Sequence, residues 1–168
     1  MTIKEIIDLL KAEWSVPAHT INKNGEESFA RFACFFTEGQ KELPADYPYN
    51  VPDDVKAFWS ESASAFLYKD VDYGQWGIEI LSPAESISYT EEEKQHRYDT
   101  YKPGELIIGR FKGDSDLLIV SCGDDDEYGN IRIGLPIDPY PEWPIVGKNF
   151  REFLEKYVEL KGAKFWER

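Results

Sequence analysis

The side chains best suited to chemistry stand in two acidic runs, Asp114-Ser115-Asp116 and Asp124-Asp125-Asp126-Glu127. Carboxylates this dense hold cations, move protons or face basic partners, and spacing separates the three uses. A calcium loop starting at Asp124 puts oxygen ligands at its first and third positions and Gly129 at its sixth. Its fifth position is then Tyr128, and its twelfth is Leu135, where a bidentate glutamate is needed. That pattern fails and leaves a solvated turn between strands. Asp114-Ser115-Asp116 has the acid-x-acid form that holds magnesium in sugar-nucleotide enzymes, but no phosphate-binding glycine loop or lysine accompanies it. Asp and Ser are turn residues, so a hairpin tip is the expected structure.

Nucleophilic catalysis needs Cys or Ser beside His and an orienting acid. His19 falls in a proline-bounded loop, and His96 falls late in an acidic-to-basic helix whose dipole accounts for it. Cys34 and Cys122 lie in apolar runs, and no known spacing joins them to either histidine. No carboxylate pair stands out for glycoside hydrolysis. The expectation is a protein that binds rather than reacts, with no cofactor and no metal.

Charge is the more useful pattern. The chain carries −13 in total; residues 113–127 hold six acids and no base, and residues 148–168 hold six bases and four acids. Net charge outside that last segment is therefore −15. One reading is an acidic docking face; the other is that loops are simply charged. On the docking reading the partner contacts are Asp114, Asp116, Asp124, Asp125, Asp126 and Glu127. Trp143 joins them, because tryptophan on a loop-rich segment suits an interface. Trp76, beside Gly77, is expected to pack under the sheet.

Such a surface is a poor match for nucleic acid, whose phosphates need Lys and Arg to displace counterions, or for an anionic membrane. A basic protein partner fits best. At 168 residues a single domain with its own core is expected. No apolar stretch reaches bilayer length. The N-terminal run carries acids and has no secretory pattern, so a cytoplasmic location is expected. Two cysteines in a reducing compartment are expected to be free core thiols. Oligomeric state is not legible.

These residues must be positioned by an α+β framework. Thr2 and Glu5 form a capping box, and Ile3, Ile6, Ile7, Leu10 and Trp14 share a helical face. Residues 20–25 read as a polar turn. Phe29, Phe32, Ala33 and Phe36 repeat at helical spacing, although Ala30–Phe36 also suits a strand. Residues 43–52 read as a proline-rich loop, and Pro52 opens a short helix with Val55, Phe58 and Trp59 inward. Strands are expected at 65–68 and 76–81, and Thr90 with Glu93 as the capping box of a further helix. Leu106–Phe111 and Asp116–Ser121 form a hairpin, Cys122–Gly129 an acidic loop, and Ile131–Leu135 another strand. Residues 136–147 cross rigidly. Asn149 caps a last helix buried through Phe150, Phe153, Leu154, Tyr157 and Val158, and Gly162 ends it. The sum is a mainly antiparallel sheet of five to six strands with helices packed around it.

Three of these stretches resemble a known family. YGQWGIEILSP at 73–83, GELIIGRFKGDSDLLIV at 104–120 and IRIGLPIDPYPEWPIVGKNFREFLEKYVELKGAKFWE at 131–167 are similar in order and type to the SUKH superfamily. VPDDVKAFW at 51–59 matches its short proline-initiated helix; Ser60-Glu61-Ser62-Ala63 stand where the family often has Asn-Gly. The resemblance covers residues 51–167, and residues 15–50 match nothing in it. It implies an α+β fold and a non-enzymatic role. The superfamily joins bacterial immunity proteins, which neutralise a toxin such as a nuclease, with a fungal regulator of cell-wall assembly. It supplies no general toxin-contact residues.

Overall fold

The computed structural model describes residues 1–97, 99–136, 138, 140 and 143–167. Helix α1 (Ile3–Trp14) opens on the Thr2–Glu5 capping box and buries Ile3, Ile6, Ile7, Leu10 and Trp14. The chain then forms a hairpin of β1 (Ala18–Ile21) and β2 (Glu27–Phe36). Its turn is held by the Asn22 side chain, which accepts the N–H groups of Asn24 and Glu26 at 2.9 and 3.0 Å. The helix expected from Phe29, Phe32, Ala33 and Phe36 is thus a strand. Its working period is two: Ala30 and Cys34 point into the core, while Phe29, Arg31 and Phe35 point outward. Phe29, an anchor of the helical spacing, is 85% exposed.

Helix α2 (Asp53–Glu61) starts at Pro52 and buries Val55, Phe58 and Trp59, as its sequence predicts. Strands β3 (Ala65–Asp70) and β4 (Ile78–Ile80) follow. Helix α3 (Pro83–His96) begins earlier than expected: Ser82 and Glu85 form its capping box, with Pro83 in the first turn. Thr90 lies inside this helix. Its hydroxyl accepts the Ile107 N–H at 2.8 Å and ties the helix to the sheet. The early turns were hard to read because the buried stripe is Pro83, Ser86 and Thr90, small and polar rather than apolar.

Strands β5 (Glu105–Phe111), β6 (Leu117–Ser121), β7 (Ile131–Gly134) and β8 (Ile145–Gly147) complete the sheet, and α4 (Phe150–Glu159) ends the fold. Asn149 caps α4, whose Phe150, Phe153, Leu154 and Tyr157 are buried. Of the expected crossing segment 136–147, residues 137, 139, 141 and 142 lie outside the described residues. Among the described residues the sheet has eight strands in the order β1 to β8, with every neighbouring pair antiparallel. The expectation of five to six was low by the misread β2, its short partner β1 and the three-residue β8.

One sheet face packs on α1, α2 and α4 through the main core, including Leu67, Ile78, Leu118, Ile133 and the helix residues above. The other face carries a smaller cluster of Leu81, Ile107, Leu117, Ile119, Tyr101 and Trp143, with Tyr89 of α3 against it. That cover extends over β5 to β7. Over β2 and β3 the second face stays open, with Phe35 44% exposed there.

Candidate functional site

The two acidic runs lie at opposite ends of β6. Asp114 and Asp116 belong to the β5–β6 tip, and Asp124–Glu127 to the β6–β7 loop. Strands rise about 3.3 Å per residue, so the runs are roughly 15–20 Å apart. They do not form one continuous face.

The tip is already engaged from within. Lys164, beyond α4, reaches back and pairs with Asp114 and, at 3.3 Å, with Asp116. Its side chain is 5% exposed and that of Asp116 14%. The ammonium also lies 5.3 and 5.1 Å from the rings of Trp76 and Phe111. Burial pulls the Lys164 ammonium down, but Asp114, Asp116 and Glu167 outweigh it and hold its pKa above the usual lysine value. Burial likewise lifts the Asp116 carboxyl above its usual range, against the lowering by Lys164. Trp76 closes the assembly by donating Nε1–H to the Gly162 carbonyl at 3.1 Å. This is a structural lock between the hairpin and the C-terminal segment.

The loop behaves differently. Asp124, Asp125 and Asp126 are exposed, and none forms an ion pair among the described residues. Asp125 Oδ1 accepts the Glu127 N–H at 2.9 Å and shapes the turn. Glu127 itself is engaged, at 3.3 Å from Lys102 and 3.4 Å from Arg132. Two features escaped the sequence reading. Tyr128 is 39% exposed and donates its hydroxyl to the Asn50 carbonyl at 3.0 Å. Asp53 and Asp54, at the start of α2, lie close enough to help burial push the Tyr128 hydroxyl pKa up. Read locally, PDD at 52–54 only starts a helix; the Tyr128–Asn50 bond that brings the loop to this end of α2 is a tertiary event. Beside this acidic end runs a groove of about 450 Å³ lined by Lys41, Leu43, Tyr47, Tyr49, Asn50 and Trp59.

Trp143 corrects an expectation. It is 2% exposed, and its Nε1–H is shared between the carbonyls of Leu135 and Asp138 at 2.9 and 3.1 Å. Its ring packs edge-on to Tyr101, with centroids 5.6 Å apart. It is buried in the second cluster and presents no exposed ring. Its carbonyl accepts from buried Arg132 at 3.2 Å.

The groups weighed for catalysis are dispersed. Cys34 and Cys122 are buried free thiols, and burial pushes each up to about 12. His19, on exposed β1, faces the Ser28 carbonyl through Nδ1 at 2.8 Å, and His96 is exposed at the end of α3. Among the described residues no group of three or more His, Cys, Asp or Glu is placed to hold a metal.

A family model described as SMI1 / KNR4 family (SUKH-1) matches residues 40–156. The chain belongs to this family. A search of curated proteins found no match. The matched SUKH-1 unit runs from the loop before α2 into α4; α1 and the β1–β2 hairpin precede it. The family is generally non-catalytic, and membership fits an immunity or a regulatory role with protein partners. Among the described residues no helix is long and apolar enough to cross a membrane.

Proposed function

We propose that the chain is a non-enzymatic, cytoplasmic immunity protein that binds and neutralises a basic toxin domain, a nuclease being the best fit. The observation that carries this reading is the acidic end of the molecule. There Asp124, Asp125 and Asp126 stand without basic partners among the described residues, beside the exposed ring of Tyr128, whose hydroxyl ties the loop to Asn50 just before α2. Such a surface suits a groove that normally grips phosphates. The carboxylates steer the encounter and the tyrosine supplies an amphipathic anchor. Neutralisation is then steric and electrostatic: the loop occupies the nucleic-acid site. Asp114 and Asp116 take no part in this account, because Lys164 already holds them. Glu127 contributes by fixing the loop to Lys102 and Arg132.

Co-expression with the product of the adjacent gene tests the reading. Protected cells and a 1:1 complex on a sizing column are expected. Cell death without a complex would refute it. Recovery of endogenous cell-envelope regulators, from a locus lacking a toxin gene, would instead favour the regulatory branch of the family.

A further inference from the structure

The open half of the second sheet face combines aromatic rings with cations, in a chain whose net charge is −13. Phe35 of β2 pairs with Phe66 of β3 across the ladder. Lys69 lies over both rings, at 5.8 and 4.4 Å from their centroids, and Lys112 approaches Phe66 at 5.2 Å. Further along the hairpin, Phe29 stacks on Tyr73 at 5.1 Å and 19°, although the rings are 85% and 57% exposed. Single exposed aromatics are ordinary on protein surfaces; a run of them on one side of a hairpin marks an interaction surface.

The geometry is preorganised. Asp70 accepts the N–H groups of Asp72, Tyr73 and Gln75 and fixes the β3–β4 turn under the stack. Arg31 pairs with Asp72 at 2.7 Å and anchors that turn to β2. A partner therefore meets rings that are already ordered, which lowers the entropy lost on binding.

The lysines identify the partner's charge. Both ammonium groups converge on the Phe66 ring, and neither forms an ion pair among the described residues. Glu79, opposite Phe66 on the neighbouring strand, is held by Arg110 at 2.6 Å, so Lys69 and Lys112 remain the unpaired charges of this face. A polynucleotide needs many such contacts against the −13 of the whole chain, and two unpaired lysines provide few. A second copy laid face to face would bring its own two lysines to the same interface. We infer that this face docks an acidic, aromatic-bearing segment of a partner protein, its carboxylates on Lys69 and Lys112 and its apolar side chains on Phe29, Phe35 and Tyr73. This surface is distinct from the acidic end assigned to the toxin and stands or falls independently of it.

The test is an amide NMR titration of the full chain with a nine-residue peptide alternating glutamate and phenylalanine. Shifts confined to β2, β3 and residues 70–75 are expected. They should weaken about tenfold in Lys69→Glu/Lys112→Glu, whose melting temperature stays at the parent value. The proposal is overturned by any of four results: no shift at millimolar peptide; shifts elsewhere; equal binding of a peptide with lysine in place of glutamate; or tighter binding of oligothymidine to the same amides. Shifts that appear on concentrating the protein alone would assign the face to a second copy and overturn it equally.

Discussion

The β5–β6 tip and the β6–β7 loop are both short, acidic, glycine-bearing turns joined to the same strand, yet they do opposite things. The tip receives Lys164 from the far end of the chain and becomes part of the fold's closure. The loop receives no base for Asp124–Asp126 among the described residues, and is tied instead through the Tyr128 hydroxyl to Asn50. Acid density therefore does not locate a docking surface; what distinguishes a docking acid from a structural one is whether a base reaches it. A sheltered charge is destabilising once its partner is removed, and charge left in water remains available to a partner.

Four substitution experiments sharpen or break this contrast, and the glycines of the two turns should give its largest effect. Gly113, at φ +89°, has the Gln75 carbonyl oxygen 2.1 Å from where a Cβ would stand; Gly129, at φ +87°, has nothing nearer than 3.7 Å. Gly113→Ala should cost about 3 kcal/mol or more and Gly129→Ala about 1 kcal/mol by urea unfolding. Equal costs would show that the tip is no tighter than the loop. Lys164→Ala comes next. It leaves Asp116 sheltered without its base, and a loss of about 2 kcal/mol is expected.

The same lysine sets an alkaline limit. Its folded pKa is raised, so the stability it contributes is complete below the unfolded lysine value of about 10.4 and is lost as pH rises through the higher folded value. Parent protein should therefore lose stability in that window while Lys164→Ala changes less. Identical alkaline profiles would mean that the pairing contributes nothing. Trp143→Phe, which removes one shared indole donor from a buried site, should cost about 1–2 kcal/mol without altering partner binding. At the small end, Asp124→Asn/Asp126→Asn should shift stability by no more than about 0.5 kcal/mol, since neither carboxylate is paired. A cost comparable to that of Lys164→Ala would place the loop in the same class as the tip.

Much of this fold was legible where local rules and tertiary packing agree. The capped helix from Ile3 buried the residues its periodicity singled out, the stripe of α4 did so except at half-buried Val158, and the β5–β6 hairpin formed over its expected segments. Legibility failed where a residue had two local meanings. Ser82-Pro83 ends a strand and also caps a helix, and only the second meaning explains α3. Phe29 suggested a helical core position because large aromatics are usually inside; here it lies on an open face. The candidate site was half visible. Asp124–Asp126 are exposed as their composition suggests, whereas Lys164 closes on Asp114 across about fifty residues and Trp143 turns inward. Contacts of that range leave no local pattern.

The central claim is that the loop, and not the tip, carries the partner. Calorimetric titration of the purified toxin domain into the parent chain, Asp124→Lys/Asp126→Lys and Asp114→Asn decides it. The loop variant should bind at least about 100-fold more weakly, while Asp114→Asn stays within about threefold of the parent. Undiminished binding by the loop variant, or a larger loss in Asp114→Asn, would contradict the account.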